Sequence, residues 1–219
     1  MKTCRIALGL MFAYFLSGSF AIAASPGPGP AKITFQRIFK GSTPEFVQIT
    51  VRNDSDAATY EIRQLDEDPG STPFQVGAAL RARMFSLADK LNDFMGLNLD
   101  VHRKIAYLGE KTFRWEQGGQ VFETKFNYTL NSTAAELLQI FEGLARQQEL
   151  ADLLARSIRY DRLGVNDALL QVESDFTRGL LPEPQRLLAL LDQIGGDEKV
   201  VDIARDRARS LADRIRHPR

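Results

Sequence analysis

The segment EKTFRWEQGGQVFETKFNYT, residues 110–129, decides the fold of this chain. At its centre, Gly118-Gly119 fits a two-residue hairpin loop, whose backbone requires the positive φ that glycine adopts readily. A loop at this position fixes the register of two antiparallel strands, and it places Trp115 opposite Phe122. The segment therefore predicts a β-hairpin.

The same register sorts the side chains of the hairpin onto two faces. One face receives the aromatic residues Phe113, Trp115, Phe122 and Phe126. On the other face Arg114 meets Glu123, and such a cross-strand pair contributes about 0.2–1 kcal/mol. A shift of one residue would lose both matches. We therefore interpret the alternation as a sheet with one buried face, in preference to a surface that grips a ligand.

Three further strands are predicted upstream of the hairpin, within residues 33–65. In each of them apolar residues alternate with polar ones, which is the pattern of a sheet exposed to water on one side. The apolar positions are Ile33, Phe35, Phe39, Val47, Ile49, Val51, Ala58, Tyr60 and Ile62. Residues 53–56 form the turn between the second and third strands. The pattern predicts an antiparallel meander, but it leaves open whether meander and hairpin share one sheet and in what order.

One amphipathic helix is predicted between the meander and the hairpin. Thr72 and Gln75 have the spacing of a capping box, with Pro73 at the first helical position. Apolar residues then recur at steps of three and four, at Val76, Leu80, Met84, Leu87, Leu91 and Phe94. Gly96 is predicted to end this helix. Ile105–Leu108 is predicted to be a further short strand that leads into the hairpin.

From residue 131 to the end of the chain the pattern is helical. Thr133 opens a second capping box, and Asn166 and Asp197 are predicted to cap two later helices. Short loops between apolar-faced helices predict a bundle of three to four helices. The predicted fold class is thus α+β, with N-terminal antiparallel meander strands, one packed helix and a β-hairpin, followed by an all-helical C-terminal bundle. We expect an α+β domain over 33–130 and a helical region over 131–219, which could pack together as one unit.

Residues 1–24 have the pattern of a secretory signal peptide. Lys2 and Arg5 precede an apolar stretch, and small residues then lead to a cleavage site after Ala23 or Ala24. The alternative is an uncleaved membrane anchor at the N-terminus. We favour cleavage, because the apolar run falls short of the ~20 residues that a spanning helix needs. The chain is therefore predicted to be exported, to the periplasm or the exterior.

Composition after cleavage narrows the classes of function. Residues 25–32 are rich in proline and glycine and predict an extended linker. Cleavage would remove Cys4, the only cysteine, so the mature chain would contain no disulfide. Removing Lys2 and Arg5 from the 28 basic residues leaves 26 against 28 acidic residues. Because this balance creates no basic field, we predict neither nucleic acid nor, after cleavage, a membrane as a partner.

No residue pattern in the sequence indicates a catalytic site, a cofactor or a metal. His102 and His217 have no partner at the spacing of metal ligands. The arginines of the last predicted helix alternate with aspartates three or four residues away, which is typical of a solvated helix surface. The motifs of common nucleophiles, phosphate loops and metalloproteases are missing. We therefore predict no catalytic, cofactor-binding or metal-binding residues.

The junction 160–167 is the strongest candidate for a functional surface. It places an aromatic ring, charged groups and an amide between two helices, and loops that a rigid scaffold positions often carry function. The candidate residues are Tyr160, Asp161, Arg162 and Asn166.

The predicted function is that of an exported, soluble, non-catalytic interaction or scaffolding protein of the bacterial cell envelope or exterior. Its partner would be a protein whose identity the sequence does not give. The alternative is an extracytoplasmic hydrolase with dispersed carboxylates, such as Asp161 and Glu142, which would have to converge in one cleft about 5–9.5 Å apart.

Overall fold

The computed structural model describes residues 29–101 and 104–218. The predicted signal peptide and its cleavage site lie outside these ranges, and so does His102. Of the predicted linker, Ala31 is already buried and Lys32 begins the first strand.

Six strands form a single antiparallel sheet. They are β1 (Lys32–Ile38), β2 (Phe46–Arg52), β3 (Ala57–Arg63), β4 (Thr72–Gln75), β5 (Glu110–Gln117) and β6 (Gln120–Phe126). Their order across the sheet is β4-β3-β2-β1-β5-β6. Meander and hairpin therefore share one sheet, because β1 pairs with β5 and Phe35 lies opposite Phe113.

The structure confirms the predicted hairpin and its register. Both glycines of the loop have positive φ, 56° at Gly118 and 83° at Gly119. Trp115 lies opposite Phe122. Its side chain is only 8% exposed, and its ring meets the ring of Phe85 edge-on at 5.7 Å between centroids. Phe113, Trp115 and Phe126 thus belong to the core of the protein, and Phe122 packs against it.

The charged pair on the other face of the hairpin is also present. Arg114 lies opposite Glu123, with 3.8 Å between Nη1 and Oε2. A shorter contact joins Arg114 Nε to Glu116 Oε1 at 2.6 Å along the same strand.

The helix between the meander and the hairpin begins later than predicted. This helix, α1, spans Ala78–Lys90 and has Gly77 at its N-cap. Thr72–Gln75, which predicted a capping box, forms strand β4, with Pro73 opposite Thr59 of β3. The edge of β3 offers backbone partners to the whole segment, and a proline is tolerated in an edge strand. Strand pairing therefore outweighs the local capping pattern here.

Four helices lie downstream of the hairpin, within the predicted number of three to four. These helices are α2 (Ser132–Tyr160), α3 (Val165–Thr177), α4 (Leu188–Gly196) and α5 (Asp202–Arg216). Two short 3-10 segments lie at Asn92–Phe94, before the hairpin, and at Pro184–Leu187, between α3 and α4. The α+β class with a helical C-terminal region is confirmed. The predicted strand at Ile105–Leu108 is wrong, because this segment forms no regular element.

Three of the predicted helix caps are also wrong. Asn131 caps α2, since its Oδ1 accepts a hydrogen bond from the backbone nitrogen of Ala134 at 3.0 Å, and Thr133 lies inside the helix. Asn166 lies in the first turn of α3, and Asp197 follows the end of α4. Several neighbouring side chains are suited to a cap, so local spacing alone does not select the residue that fills it.

The 29-residue helix α2 contributes to two hydrophobic cores. The sheet core lies between the sheet on one side and α1 with the first half of α2 on the other. Leu137 and Phe141 of α2 are fully buried in it. The helical core lies among α3, α4, α5 and the second half of α2, where Leu150 and Leu154 are fully buried. One helix thus joins the two layers of the fold.

Candidate functional site

The residues predicted from the α2–α3 junction lie together but have different environments. Tyr160 ends α2 and is 77% exposed. Asp161 has a structural contact, because its Oδ1 accepts a hydrogen bond from the backbone nitrogen of Gly164 at 3.0 Å. Asn166 is also engaged, since its Oδ1 accepts from Nε of Arg207 at 3.1 Å. The junction is therefore held by polar contacts on both sides.

Helix α5 runs parallel to α3, which brings the start of α5 to the same end of the bundle as the junction. Arg207 contacts Asn166, and Arg214, two turns later in α5, contacts Thr177 at the end of α3. Leu163 lies three residues before Asn166 in the chain, and Ile203 lies four residues before Arg207, so each is within about one turn of the hydrogen bond between Asn166 and Arg207. Both apolar side chains therefore lie at this end, and they are 80% and 61% exposed.

We call the exposed side chains at this end the tip surface. They are Arg156, Arg159, Tyr160, Arg162, Leu163 and Ile203. Leu163 and Tyr160 are the two most exposed of the large hydrophobic residues that the structure describes. Such side chains are costly to leave in water and mark interaction sites when they cluster.

The arginines of the tip surface have no acidic partners. Within residues 29–101 and 104–218, Arg156, Arg159 and Arg162 form neither a hydrogen bond nor an ion pair. Arg159 instead lies over the ring of Tyr160, with its guanidinium carbon 5.8 Å from the ring centroid. The tip surface thus combines exposed apolar groups with three arginines that form no ion pair among the described residues.

The arginines of α5 differ in this respect. Three of them pair with aspartates of the same helix, as the sequence predicted, whereas Arg207 and Arg214 pair with Glu173 of α3. Each of them pairs with a carboxylate: Arg205 with Asp202, Arg207 and Arg214 with Glu173, Arg209 with Asp206, and Arg216 with Asp192 and Asp213. Basic residues on this helix therefore form a solvated, ion-paired surface.

A second polar region lies between the inner face of the sheet and α2. The inward side chains of β1 begin with Ile33 and Phe35, but the next one is Arg37. In the register of the sheet Arg37 lies beside Lys111 of β5 and beside Val47 of β2. The inner face therefore carries two adjacent positive charges, Arg37 and Lys111, in its last row, between Val47 and Phe126.

Lys111 is tied to backbone carbonyls in this region. Its ammonium group donates to the oxygens of Asn127 at 2.9 Å, Leu108 at 3.1 Å and Gly109 at 3.4 Å. Burial lowers the pKa of Lys111, an effect that the nearby carboxylate of Glu142 opposes. Since all three of its donors are used, Lys111 serves to anchor the segment before β5.

Glu142 faces this charged row from α2. Burial raises the pKa of its carboxyl group, and the positive charges of Lys111 and Arg37 oppose the rise. Glu142 lines two adjoining cavities, one of about 330 Å³ that includes Lys111 and one of about 220 Å³ that includes Arg37 and Glu149. We call the second of these the seam cavity.

The other charged groups of the seam cavity are joined to each other. Arg146 Nε donates to Asp175 at 2.7 Å, Nη1 donates to Glu149 at 3.4 Å, and Nη2 donates to Gln171 at 3.3 Å. Burial raises the pKa of Glu149, and its hydrogen bond with Arg146 opposes this rise.

The two carboxylates named for a hydrolase, Asp161 and Glu142, do not share a cleft. They lie 19 residues apart along α2 and its end, which corresponds to about 28 Å at the rise of an α-helix.

Arg37 and Glu149 were not singled out from the sequence. A signal for Arg37 was available, because it occupies the position of β1 at which the alternation of Ile33 and Phe35 calls for an apolar residue.

Within the described residues, no three His, Cys, Asp or Glu side chains are placed to share a metal ion. His217 is exposed, and its Nδ1 lies 3.2 Å from the carbonyl oxygen of Asp213. Over residues 29–101 and 104–218, none of the helices combines the length and apolar character that crossing a membrane requires.

Comparison of the sequence with models of known protein families and with curated proteins finds no match.

Proposed function

We propose that this chain is an exported, non-catalytic interaction protein of the bacterial cell envelope or exterior, and that it binds an acidic protein partner through the tip surface. The observation that carries the proposal is the coincidence of two highly exposed apolar side chains, Tyr160 and Leu163, with arginines that form no ion pair in the part of the chain that the structure describes. Tyrosine and arginine are enriched at protein interfaces and among the residues that dominate binding energy.

The charge of the tip surface specifies the kind of partner. Arg156, Arg159 and Arg162 follow one another at three-residue steps, so they present positive charge over the last two turns of α2 and its end. A partner with carboxylates around an apolar pocket would neutralise these arginines and bury Leu163. Charge complementarity of this kind raises the rate of association and fixes the orientation of the complex.

The scaffold beneath the tip surface holds it in place before binding. Asp161 closes the turn onto Gly164, and Arg207 of α5 ties down the first turn of α3 through Asn166. An interface that is ordered in the free protein loses less conformational freedom on binding, which favours affinity.

The partner can be trapped by placing a photo-crosslinking amino acid at position 163 in cells of the natural host. We expect an adduct of one discrete mass that contains a second, acidic protein. The matched control places the same amino acid at position 121, because Val121 is an exposed apolar residue of the hairpin, outside the tip surface. The control should give no such adduct.

With the partner purified, Tyr160→Ala should weaken binding by at least about tenfold, as for a central interface residue. Reversal of charge in Arg159→Glu should slow association and reduce its dependence on salt. Equal adducts from positions 163 and 121, or none from either, would contradict the proposal. An adduct of twice the mass of this chain would show that the tip binds a second copy instead.

Export gives a separate prediction. Cleavage by a signal peptidase should leave Ala24 or Ser25 as the first residue of the mature protein, because small residues occupy the positions before that bond. N-terminal sequencing of the protein isolated from the host measures this directly. A chain that begins at Met1 in the membrane fraction would instead support the uncleaved anchor.

A further inference from the structure

The seam cavity contains two opposite charges that form no hydrogen bond or ion pair with any described residue. Arg37 of β1 and Glu142 of α2 both line it. Within the described ranges neither side chain makes a hydrogen bond or an ion pair, and Nε of Arg37 is fully buried without an acceptor. A buried donor without an acceptor is costly, so such groups often await a ligand or water.

The charges that surround this pair are already satisfied. Lys111 donates to three carbonyl oxygens, and Arg146 uses its guanidinium on Asp175, Glu149 and Gln171. The capacity for further bonds in the seam cavity therefore rests on Arg37 as a donor and on Glu142 as an acceptor, with Glu149 held by only one long hydrogen bond at 3.4 Å.

The remaining walls of the seam cavity are small or apolar. Phe35 and Val47 are buried on the side of the sheet, Thr43 and Pro44 contribute the loop between β1 and β2, and Ala145 contributes α2. The volume of about 220 Å³ lies below the roughly 300–1,000 Å³ of sites for drug-sized molecules. Its occupant must therefore be small, with a short apolar part.

We infer that the seam cavity binds a small zwitterion of the size of a free aliphatic amino acid. Its carboxylate would accept hydrogen bonds from the guanidinium of Arg37, and its ammonium group would donate to Glu142. Its side chain would lie against Phe35 and Pro44. This inference is independent of the tip surface.

The lining charges argue against ligands with one sign of charge. Arg37 and Arg146 balance Glu142 and Glu149, so a neutral ligand with two charged ends matches the cavity. An anion alone would leave the carboxylate of Glu142 without a partner and near a like charge. A cation alone would leave the buried Nε of Arg37 without an acceptor. Because buried charges need partners, each of these losses weakens binding.

Titration calorimetry of the purified protein with glycine, L-alanine and L-leucine tests the inference. We expect at least one of these to bind saturably, with one site per chain. Isopentylamine is leucine without its carboxylate, and 4-methylpentanoate is leucine without its amino group. Each should bind at least about tenfold more weakly than leucine, because each lacks one charge-assisted hydrogen bond.

Two variants assign the binding to the seam cavity. Arg37→Gln and Glu142→Gln should each weaken binding of the amino acid by at least about tenfold. Arg52→Gln serves as the control, because Arg52 is exposed and pairs with Asp54 outside the cavity. Arg37→Lys, which keeps the positive charge, should bind more tightly than Arg37→Gln, and thermal unfolding checks that each variant is folded.

Three results would overturn the inference. The first is the failure of all three amino acids to bind, and the second is an unchanged affinity in both Arg37→Gln and Glu142→Gln. The third is binding of isopentylamine or 4-methylpentanoate as tight as that of leucine itself. None of these results would affect the tip surface, so the two proposals fail separately.

Discussion

Replacement of Phe113 by alanine should lower the free energy of unfolding by about 4 kcal/mol, because it empties the centre of the sheet core. Phe113 lies on β5 and is fully buried. Its ring contacts four others, at centroid distances of 5.2 Å to Phe126, 5.3 Å to Phe94, 5.9 Å to Phe35 and 6.0 Å to Phe141. These rings come from β6, a 3-10 segment, β1 and α2, so one side chain joins elements from the whole α+β part.

Urea denaturation and calorimetry measure this effect. A loss of about 4 kcal/mol corresponds to a fall in melting temperature of about 10 °C for a chain of this size. The control is Phe122→Ala, which removes the same ring from the same face of the sheet at a position only partly buried. We expect it to cost less than half as much. Equal effects of the two substitutions would show that Phe113 is not the centre of the core.

Replacement of Glu183 by alanine should cost about 3 kcal/mol, because it removes a buried carboxylate that joins the start of α1 to the segment before α4. Glu183 lies just before a 3-10 segment and is only 5% exposed. Its carboxylate accepts hydrogen bonds from the backbone nitrogen of Gly77, at 2.9 and 3.0 Å, and from Nε of Arg186, at 2.9 Å. Its own backbone nitrogen donates to the buried side chain of Gln147 at 3.1 Å.

The position of Glu183 explains the size of this effect. Gly77 is the N-cap of α1 and has no side chain to cap the helix, so a carboxylate from 106 residues away meets the positive end of the helix dipole. Its removal would leave the nitrogen of Gly77 without an acceptor and reduce the contacts of Arg186. The contact therefore connects the sheet side of the fold to the helical side.

Urea denaturation of two further variants separates this role from a simple loss of charge. Glu183→Gln keeps an acceptor and should retain part of the stability that Glu183→Ala loses. Glu173→Ala removes a carboxylate that also holds two arginines but lies nearer the surface, and it should cost under about 1 kcal/mol. A cost of Glu183→Ala no larger than that of Glu173→Ala would contradict the predicted role.

The errors in the sequence-based predictions have a common physical origin. Thr72–Gln75 satisfies the local rules for a helix start, but it became β4 because β3 had a free edge. Asn166 satisfies the rules for a cap, but its amide bonds Arg207 of α5. In each case a partner distant in the sequence outweighed a preference that nearby residues set, and such a partner is visible only in the folded chain.

The candidate sites also combine features set by neighbouring residues with features set by partners distant in the sequence. Tyr160 and Arg162 were found from the sequence, because a polar junction between two helices is a local pattern. Their combination with Ile203 into one surface depends on the parallel packing of α3 and α5. The seam cavity depends equally on packing, since Arg37 and Glu142 meet only where α2 crosses the sheet.

By itself the sequence determined the α+β class, the meander and the register of the hairpin. These features follow from interactions between neighbours in the chain, namely the alternation of apolar residues and the positive φ of Gly118 and Gly119. Only the tertiary structure decided the pairing of β1 with β5, the division of α2 between two cores and the burial of Glu183. Each of these depends on surfaces that are brought together after the local elements form, and the free energy of burying them is not encoded in any one segment.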